Sequence, residues 1–199
     1  MRRFTNSECE DFLRCIDAEL TGPCEVVLIG GGAIALHYKG SHATTDLDLW
    51  SVSETRRSRS PRPAGFWDAV TRARKVSPMP VPVQKAAIAE PPYSFEDRLL
   101  ALDIPGMTHL RVLVPEAHDL VLMKVARGEA HDLDAIEDIH RAAPLELDTL
   151  LARYRETTTQ VVGSLELHRL NFLAALARLF GEEAAARVDA QTSRRRAKK

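Results

Sequence analysis

The sequence lacks a long apolar run. None of its hydrophobic stretches approaches the roughly 18 residues that a membrane-spanning helix requires. Residues 1–6 lead into charged positions and lack the apolar segment of a secretory signal. Cysteine is also scarce: Cys9, Cys15 and Cys24 lack the spacing of metal ligands, which is typical of reduced thiols. We therefore expect a cytoplasmic protein with no membrane partner.

An excess of charge of one sign is absent as well. The 199 residues contain 27 basic and 28 acidic side chains, for a formal net charge of −1, and 45% of the residues are hydrophobic. This composition is typical of an ordinary soluble globular protein. The length indicates one domain, or one domain with a helical appendage, and no internal repeat is visible.

A glycine turn stands out at residues 30–32. A run of β-forming residues, 26–29, ends abruptly at Gly30, Gly31 and Gly32. Glycine lets the backbone approach a bulky ligand closely, and the start of the following helix offers free N–H groups to an anion. The stretch therefore predicts a phosphate-binding turn between a strand and a short helix.

A pair of acids follows on the next predicted strand. Residues two apart on a strand share a face, so Asp46 and Asp48 lie side by side while Leu47 and Leu49 face the core. Two carboxylates about 7 Å apart along a strand suit a hard cation with oxygen ligands, Mg²⁺ or alternatively Mn²⁺. A phosphate-binding turn beside such a pair predicts chemistry on a nucleoside triphosphate.

Two other interpretations compete. An isolated pair of this kind is most often a pair of solvated strand-end acids, although the nearby glycines reduce the weight of that interpretation. Gly30, Gly32 and Ala35 also match the G-x-G-x-x-A turn of dinucleotide-binding proteins. Against that match, the helix has only about two turns, the acids begin their strand, and no further strand–helix–strand units follow. A Walker A loop is excluded, because no Gly-Lys-Ser/Thr follows the glycines.

The stretch resembles a known superfamily signature. Gly31 and Gly32, a spacer of thirteen residues and then Asp46-x-Asp48 are similar to the signature of nucleotidyltransferases with the DNA polymerase β-type core. The longer strings at residues 29–36 and 43–50 resemble small bacterial nucleotidyltransferases. These include toxins of abortive-infection toxin–antitoxin pairs and related uncharacterised proteins. The resemblance spans roughly residues 10–180.

The resemblance implies a fold and a reaction. The expected fold is α/β (α+β), with a mixed sheet of about four to five strands flanked by helices and a helical C-terminal region. The core is expected at residues 7–143, the helical region at 144–190 and a basic disordered tail at 191–199. The expected reaction moves a nucleoside monophosphate from ATP or another nucleoside triphosphate to a hydroxyl of a tRNA 3′ end or a protein side chain. The toxin resemblance would also imply an antitoxin encoded nearby.

A second stretch extends the resemblance. Residues 115–124 are similar to the family element p-x-D-L-x-x-x-K, in which the lysine, here Lys124, points at the nucleotide. Residues 127–133 resemble R-x-x-R-D-L, which makes Asp132 a helix N-cap, a catalytic acid or both. Thr45 is a further nucleotide-binding candidate beside Gly31, Gly32 and Lys124. Arginine is commoner in relatives near His42 and at His131.

A third metal ligand is left open by the sequence. Enzymes of this superfamily often use a third carboxylate from a later strand, and Glu96, Asp97 and Asp103 are the candidates. We prefer Asp97 as the residue that joins Asp46 and Asp48. The intact acid pair favours the enzyme, and the departures at His42 and His131 leave room for the alternative function, a catalytically degenerate module that binds nucleotide or a partner protein.

Two flanking segments complete the sequence prediction. Residues 7–20 have the apolar period of a helix, with Ser7 and Glu10 at capping-box spacing. Residues 53–63 are rich in arginine and polar residues, which predicts a mobile loop able to attract an RNA backbone.

Overall fold

Strand-forming segments assemble into one sheet in the computed structural model, which describes residues 2–40, 43–50, 65–86, 90–129, 131–158 and 163–196. The strands are β1 (Cys24–Ile29), β2 (Leu47–Trp50), β3 (Val83–Lys85), β4 (Leu100–Leu102) and β5 (Leu110–Val114), in the order β3-β2-β1-β5-β4. β1 is antiparallel to β2 and parallel to β5, β2 is parallel to β3, and β4 is antiparallel to β5. The predicted mixed sheet is therefore confirmed, with five strands.

The burial pattern explains how β1 and β2 are placed. Val27 and Leu28 of β1 are fully buried, and the strand lies at the centre of the sheet with a nearly continuous apolar run. β2 alternates instead: Leu47 and Leu49 are buried and Asp48 is partly exposed. The alternation directs the acid of β2 away from the apolar core, as the sequence predicts.

Three α-helices among the described residues belong to the same compact unit, which comprises Met1–Ile88 and Ser94–Glu116. They are α1 (Asn6–Ala18), α2 (Gly30–Leu36) and α3 (Phe66–Val76). The predicted capping box at Ser7 is wrong, because Thr5 caps α1 and forms the box with Glu8. Phe4, which precedes the cap, is buried, and its N–H donates to the Thr44 carbonyl oxygen over 2.7 Å, so tertiary pairing selects the earlier of the two cap sites.

A second compact unit comprises Ala89–Tyr93 and Ala117–Lys199. It contains α4 (Ala117–Arg127), α5 (Asp132–Ala142), α6 (Leu147–Thr157), α7 (Leu165–Phe180) and α8 (Glu182–Arg196), which confirms the helical C-terminal region. The units divide after Glu116, whereas the sequence boundary was expected after residue 143. The buried apolar residues of α4 pack against α5, α6 and α7, and this packing groups α4 with the C-terminal helices. How far a functional core extends stays a prediction.

The end of α8 corrects the predicted tail. α8 continues through Arg196, so residues 191–196 are helical and not a disordered segment. The preceding alanines and the arginines are good helix formers, which favours continuation of the helix. The described residues do not include residues 197–199, His42 or the predicted arginine-rich loop at 53–63. Among the residues that are described, no helix has the length and apolar character needed to cross a membrane.

Candidate functional site

The glycine turn lies directly beside one of the predicted acids. β1 ends at Ile29 and α2 begins at Gly30, whose φ of +66° lies in the left-handed region. A Cβ atom at Gly30 would come within 3.1 Å of the Asp48 Oδ2 atom. Glycine is therefore needed at position 30 both for its backbone conformation and for the close approach of the Asp48 carboxylate.

Gly31 and Gly32 make different close contacts. A Cβ at Gly32 would lie 3.0 Å from a methyl carbon of Leu47 and 3.1 Å from one of Leu28, so this glycine lets α2 pack closely on the sheet. A Cβ at Gly31 would lie 3.0 Å from the Thr44 hydroxyl oxygen. This packing role of Gly32 depends on contacts with Leu47 and Leu28, which the local sequence does not indicate. Binding of nucleotide by Gly31 and Gly32 stays a prediction.

The two predicted acids converge on one point. Asp46 directly precedes β2, and Asp48 pairs with Gln84 in the parallel ladder between β2 and β3. The side-chain nitrogen Nε2 of Gln84 donates to Asp46 Oδ2 over 3.1 Å and to Asp48 Oδ1 over 3.0 Å. Because one nitrogen reaches both carboxylates, the two side chains share a face, as the alternation along the strand predicts.

Gln84 is the site residue that the sequence analysis missed. It lies 36 positions from Asp48 in the chain, and nothing in the local sequence indicates which strand β3 pairs with. The signal available in the sequence was a polar residue directly after the β-forming Val81 and Val83, which the structure buries.

The loop before β2 is held from both sides. The Thr44 hydroxyl donates to the Asp46 carbonyl oxygen over 2.8 Å, and the Thr44 carbonyl oxygen accepts the Phe4 N–H. Thr44 itself is buried. Its neighbour Thr45, the predicted nucleotide contact, is half-buried, and its contact with nucleotide stays a prediction.

The structure does not bring the preferred third acid to the pair. Asp97 is exposed and lies in a 3₁₀-helix, Phe95–Arg98, which is anchored by the buried Phe95 ring in edge-to-face contact with Trp50. Within the described parts of the chain, no group of three or more His, Cys, Asp or Glu side chains is arranged to hold a metal ion. Of the three candidates for a third acid, none therefore completes a three-acid site with Asp46 and Asp48.

The oxygen-rich pair nevertheless suits a hard cation. Mg²⁺ and Mn²⁺ take oxygen ligands, and Asp46 and Asp48 offer carboxylate oxygens that already converge on a hydrogen-bond donor. The amide of Gln84 carries a further oxygen within the same cluster. The two carboxylates and the amide therefore fit a site for one divalent cation. They do not form a site with three carboxylate ligands.

The second predicted cluster lies within the helical unit. Lys124 on α4 is only 6% exposed, and its ammonium lies 3.1 Å from Asp132 Oδ1. Arg127 donates from Nε to Asp132 Oδ2 over 2.9 Å and also binds the other carboxylate oxygen. The Glu129 N–H donates to Asp132 Oδ2 over 3.1 Å. One buried carboxylate thus holds two cationic side chains at the junction of α4 and α5.

The electrostatics of Asp132 favour its charged form. Burial alone would raise the pKa of Asp132, but hydrogen bonds from Arg127 and the charge of Lys124 lower it, and the net pKa lies below the ordinary value. Asp132 is the first residue of α5, and His131 occupies the N-cap position, so the predicted N-cap role of Asp132 is wrong. The exposed His131 ring lies 3.0 Å from Arg127, measured from Nε2 to Nη2.

Comparison with known proteins extends these observations. A protein-family model described as "Nucleotidyltransferase of unknown function (DUF6036)" matches residues 12–180, a range that contains both clusters. No curated protein and no solved structure matches the chain. The family match confirms the resemblance to nucleotidyltransferases that the glycines and the acid pair indicated.

Proposed function

Because the chain belongs to this family of nucleotidyltransferases of unknown function, we propose that it transfers a nucleoside monophosphate from a nucleoside triphosphate to an acceptor hydroxyl. The acceptor oxygen forms a bond to the α-phosphorus, the bond to the bridging oxygen breaks, pyrophosphate leaves and the hydroxyl proton is released. One observation carries the proposal: the carboxylates of Asp46 and Asp48 converge on a single nitrogen of Gln84, and the Asp48 carboxylate lies directly beside the glycine turn at Gly30.

Asp46 and Asp48 are the residues that would hold Mg²⁺ or Mn²⁺. When bound, the cation would offset the negative charge of the triphosphate and of the leaving pyrophosphate. The buried Leu47 and Leu49 fix the strand that carries Asp48, so its carboxylate is positioned by the core and not by a loop. The two acids would otherwise repel a polyphosphate, which makes nucleotide binding dependent on a divalent cation.

The glycine turn supplies the proposed phosphate contact. Gly30 and Gly31 are half-buried, and the first turn of an α-helix leaves its N–H groups without intrahelical acceptors. Gly31, Gly32 and Thr45 are assigned to the nucleotide on this basis and by resemblance to the family. The absence of side chains at the turn keeps its backbone accessible to a ligand of the size of a phosphate.

The proposed roles of Lys124 and Asp132 come from the family elements that residues 115–124 and 127–133 resemble. Lys124 is assigned to binding the negative charge of the nucleotide. Asp132 remains ionised at neutral pH because its pKa is lowered, and it orients the buried Lys124 ammonium and the Arg127 guanidinium. Asp132 thus acts by positioning charge within the helical unit.

The proposed acceptor is a hydroxyl of a macromolecule. A tRNA 3′ end or a protein side chain is assigned by resemblance to the toxin-type relatives, with a cytoplasmic setting and an antitoxin encoded nearby. One observation favours the alternative of a degenerate module that binds nucleotide or a partner protein without turnover: within the described residues, no third acid joins Asp46 and Asp48. An assay for nucleotide transfer therefore distinguishes the enzyme from the degenerate binding module.

The experiment combines binding and transfer on the full chain. Calorimetric titration with ATP, CTP, GTP and UTP should show weak binding without Mg²⁺ and tighter binding of at least one nucleotide with it. Labelled nucleotides incubated with total RNA or total protein should label an acceptor. Nucleotide binding without any labelling supports the degenerate module, and metal-independent binding of all four nucleotides, or of none, contradicts the site.

Matched variants assign the activity to the acid pair. Asp46→Asn and Asp48→Asn should change the free energy of unfolding by no more than about 0.5 kcal/mol, because both side chains are partly exposed, each substitution relieves a like-charge pair, and asparagine keeps a side-chain oxygen that can accept from Gln84. We expect transfer to fall by about a hundredfold or more, since lost stabilisation of transition-state charge has that magnitude. Asp11→Asn, at an exposed acid of α1 in the same unit, is the control and should leave transfer unchanged. Undiminished transfer in both site variants would refute the assignment.

A further inference from the structure

The amide of Gln84 lies between the two carboxylates and contacts both. Ionised carboxylates only accept hydrogen bonds, so the NH₂ group must face Asp46 and Asp48 and the amide oxygen must point away from them. The two contacts, 3.1 Å and 3.0 Å, involve one oxygen from each acid. A single neutral donor therefore satisfies one oxygen of each member of a like-charge pair.

The backbone around Gln84 is held by its neighbours. Val81 and Val83 are buried, the Pro82 carbonyl oxygen accepts the Leu47 N–H over 2.8 Å, and the Ala86 N–H donates to the Leu49 carbonyl oxygen over 3.0 Å. The ladder pairs Gln84 with Asp48 directly. Strand pairing thus places the backbone of Gln84 opposite Asp48, and the exposed Gln84 side chain reaches both acids from there.

A cation bound between Asp46 and Asp48 would occupy the position that the NH₂ group of Gln84 now faces, and a cation does not accept a hydrogen bond. The NH₂ group must therefore turn away when a cation binds. The terminal torsion of a glutamine side chain is broad and roughly two-fold, so a half-turn exchanges the amide nitrogen and oxygen with little strain. After that rotation, the oxygen Oε1 faces the position that Nε2 occupied. Amide oxygens are established ligands of hard cations.

We propose that Gln84 is the third ligand residue of the cation site and binds the cation through Oε1 after this rotation. The inference rests on the proposed function, because it assumes that Asp46 and Asp48 hold a divalent cation. It replaces Asp97, which the structure leaves exposed in the 3₁₀-helix. The ligand set then carries a charge of −2 where three carboxylates would carry −3, so the site takes one cation and binds it weakly in the absence of a triphosphate.

The test measures binding of Mn²⁺ alone to the full chain by electron paramagnetic resonance. Gln84→Met keeps the side-chain length and removes the amide, and we expect it to weaken Mn²⁺ binding by at least about tenfold, the loss that even outer-shell partners of a metal cause. Gln84→Glu adds a charged ligand and should tighten Mn²⁺ binding, because affinity rises with ligand charge. Gln191→Met and Gln191→Glu, at an exposed glutamine of α8, are the matched controls and should bind Mn²⁺ as the unmodified chain does.

The possible outcomes separate this inference from the function it rests on. Tighter or unchanged Mn²⁺ binding by Gln84→Met, with binding lost in Asp48→Asn, overturns the role of Gln84 and leaves the acid pair in place. Absence of Mn²⁺ binding by the unmodified chain overturns both. If circular dichroism shows that Gln84→Met does not fold, the test uses Gln84→Glu only. Unchanged or weaker Mn²⁺ binding by Gln84→Glu then refutes the proposal.

A spectroscopic measurement follows the rotation itself. In a ¹⁵N-labelled sample, the side-chain amide resonance that Gln84→Met lacks belongs to Gln84. Titration with Mg²⁺ should shift its NH₂ protons upfield, because they lose their carboxylate acceptors. A Gln84 amide resonance that stays unchanged at saturating Mg²⁺ would show that the NH₂ group keeps its acceptors, and it would overturn the rotation.

Discussion

At the scale of single residues, Gly128 is the most constrained glycine described. It follows α4 with a φ of +67°, and its N–H donates to the Lys124 carbonyl oxygen over 2.9 Å, as expected for a residue that ends a helix. A Cβ there would lie 1.9 Å from Nδ2 of Asn171, which donates to the Val125 carbonyl oxygen. Any side chain at position 128 must therefore displace the side chain that caps the end of α4.

Gly128→Ala should consequently lower the free energy of unfolding by about 1–3 kcal/mol, since a non-glycine residue held in the left-handed region costs that much before the displacement of Asn171 is counted. Urea denaturation followed by circular dichroism measures the change. Gly22→Ala is the control, because a Cβ there meets nothing within 4 Å and position 22 is not among the glycines with positive φ. Equal losses in both variants would contradict the geometric argument.

At the scale of elements, one buried acid joins α1 to the start of β5. The Asp17 carboxylate accepts the backbone N–H groups of Thr108, His109 and Leu110, and Asp17 is only 4% exposed. Burial alone would raise the pKa of Asp17, but these N–H groups lower it, and the net pKa lies below the ordinary value. The helix and the strand are therefore connected by a charged group that must remain ionised.

Asp17→Asn should lower the free energy of unfolding by about 1–3 kcal/mol near neutral pH, because the backbone donors lose a charged acceptor. The folded pKa lies below the unfolded value of about 3.9, so the contribution is complete above that pH and is lost as pH falls through the folded pKa. Urea denaturation at several pH values should show a constant difference between the two proteins above about pH 5 and a shrinking one below about pH 4.

Asp11→Asn tests the same helix without the buried contact. Asp11 pairs with Arg14 on the surface at 2.7 Å, and its side chain is 68% exposed. Exposed pairs of this kind contribute little, so we expect a change within about 0.5 kcal/mol. If Asp11→Asn were as destabilising as Asp17→Asn, the stability would depend on the charge of α1 and not on its connection to β5.

At the scale of the whole molecule, the balance of charges governs association. With 27 basic and 28 acidic residues and a sequence pI of about 6.7, the protein carries almost no net charge near neutral pH. Weak net charge promotes association of folded molecules.

We expect solubility at low salt to pass through a minimum near the pI and to rise toward pH 9. Light scattering across this range measures it, and in 0.5 M salt the pH dependence should flatten, because screening shortens the range of the charges. A minimum far from the pI would indicate association through apolar contacts.

The sequence by itself determined the features that depend on neighbours in the chain. The apolar run of β1, the abrupt glycine turn, the shared face of Asp46 and Asp48 and the helix α1 all follow from periods of two or 3.6 residues and from residue conformational preferences. The family resemblance depended on the same local strings. These parts of the fold and the acid pair of the candidate site were therefore predictable from the order of residues alone.

The tertiary structure decided what depends on pairing between distant segments. Gln84 joins the acids only because β3 pairs with β2, and Asp97 lies exposed in a 3₁₀-helix whose Phe95 ring contacts Trp50. Likewise, Thr5 caps α1 where the neighbouring Phe4 pairs with Thr44. The packing of α4 on the later helices places the boundary between the two compact units after Glu116. Strand partners and packing faces are selected by the free energy of the whole core, and a local sequence window carries no information about which distant segment completes it.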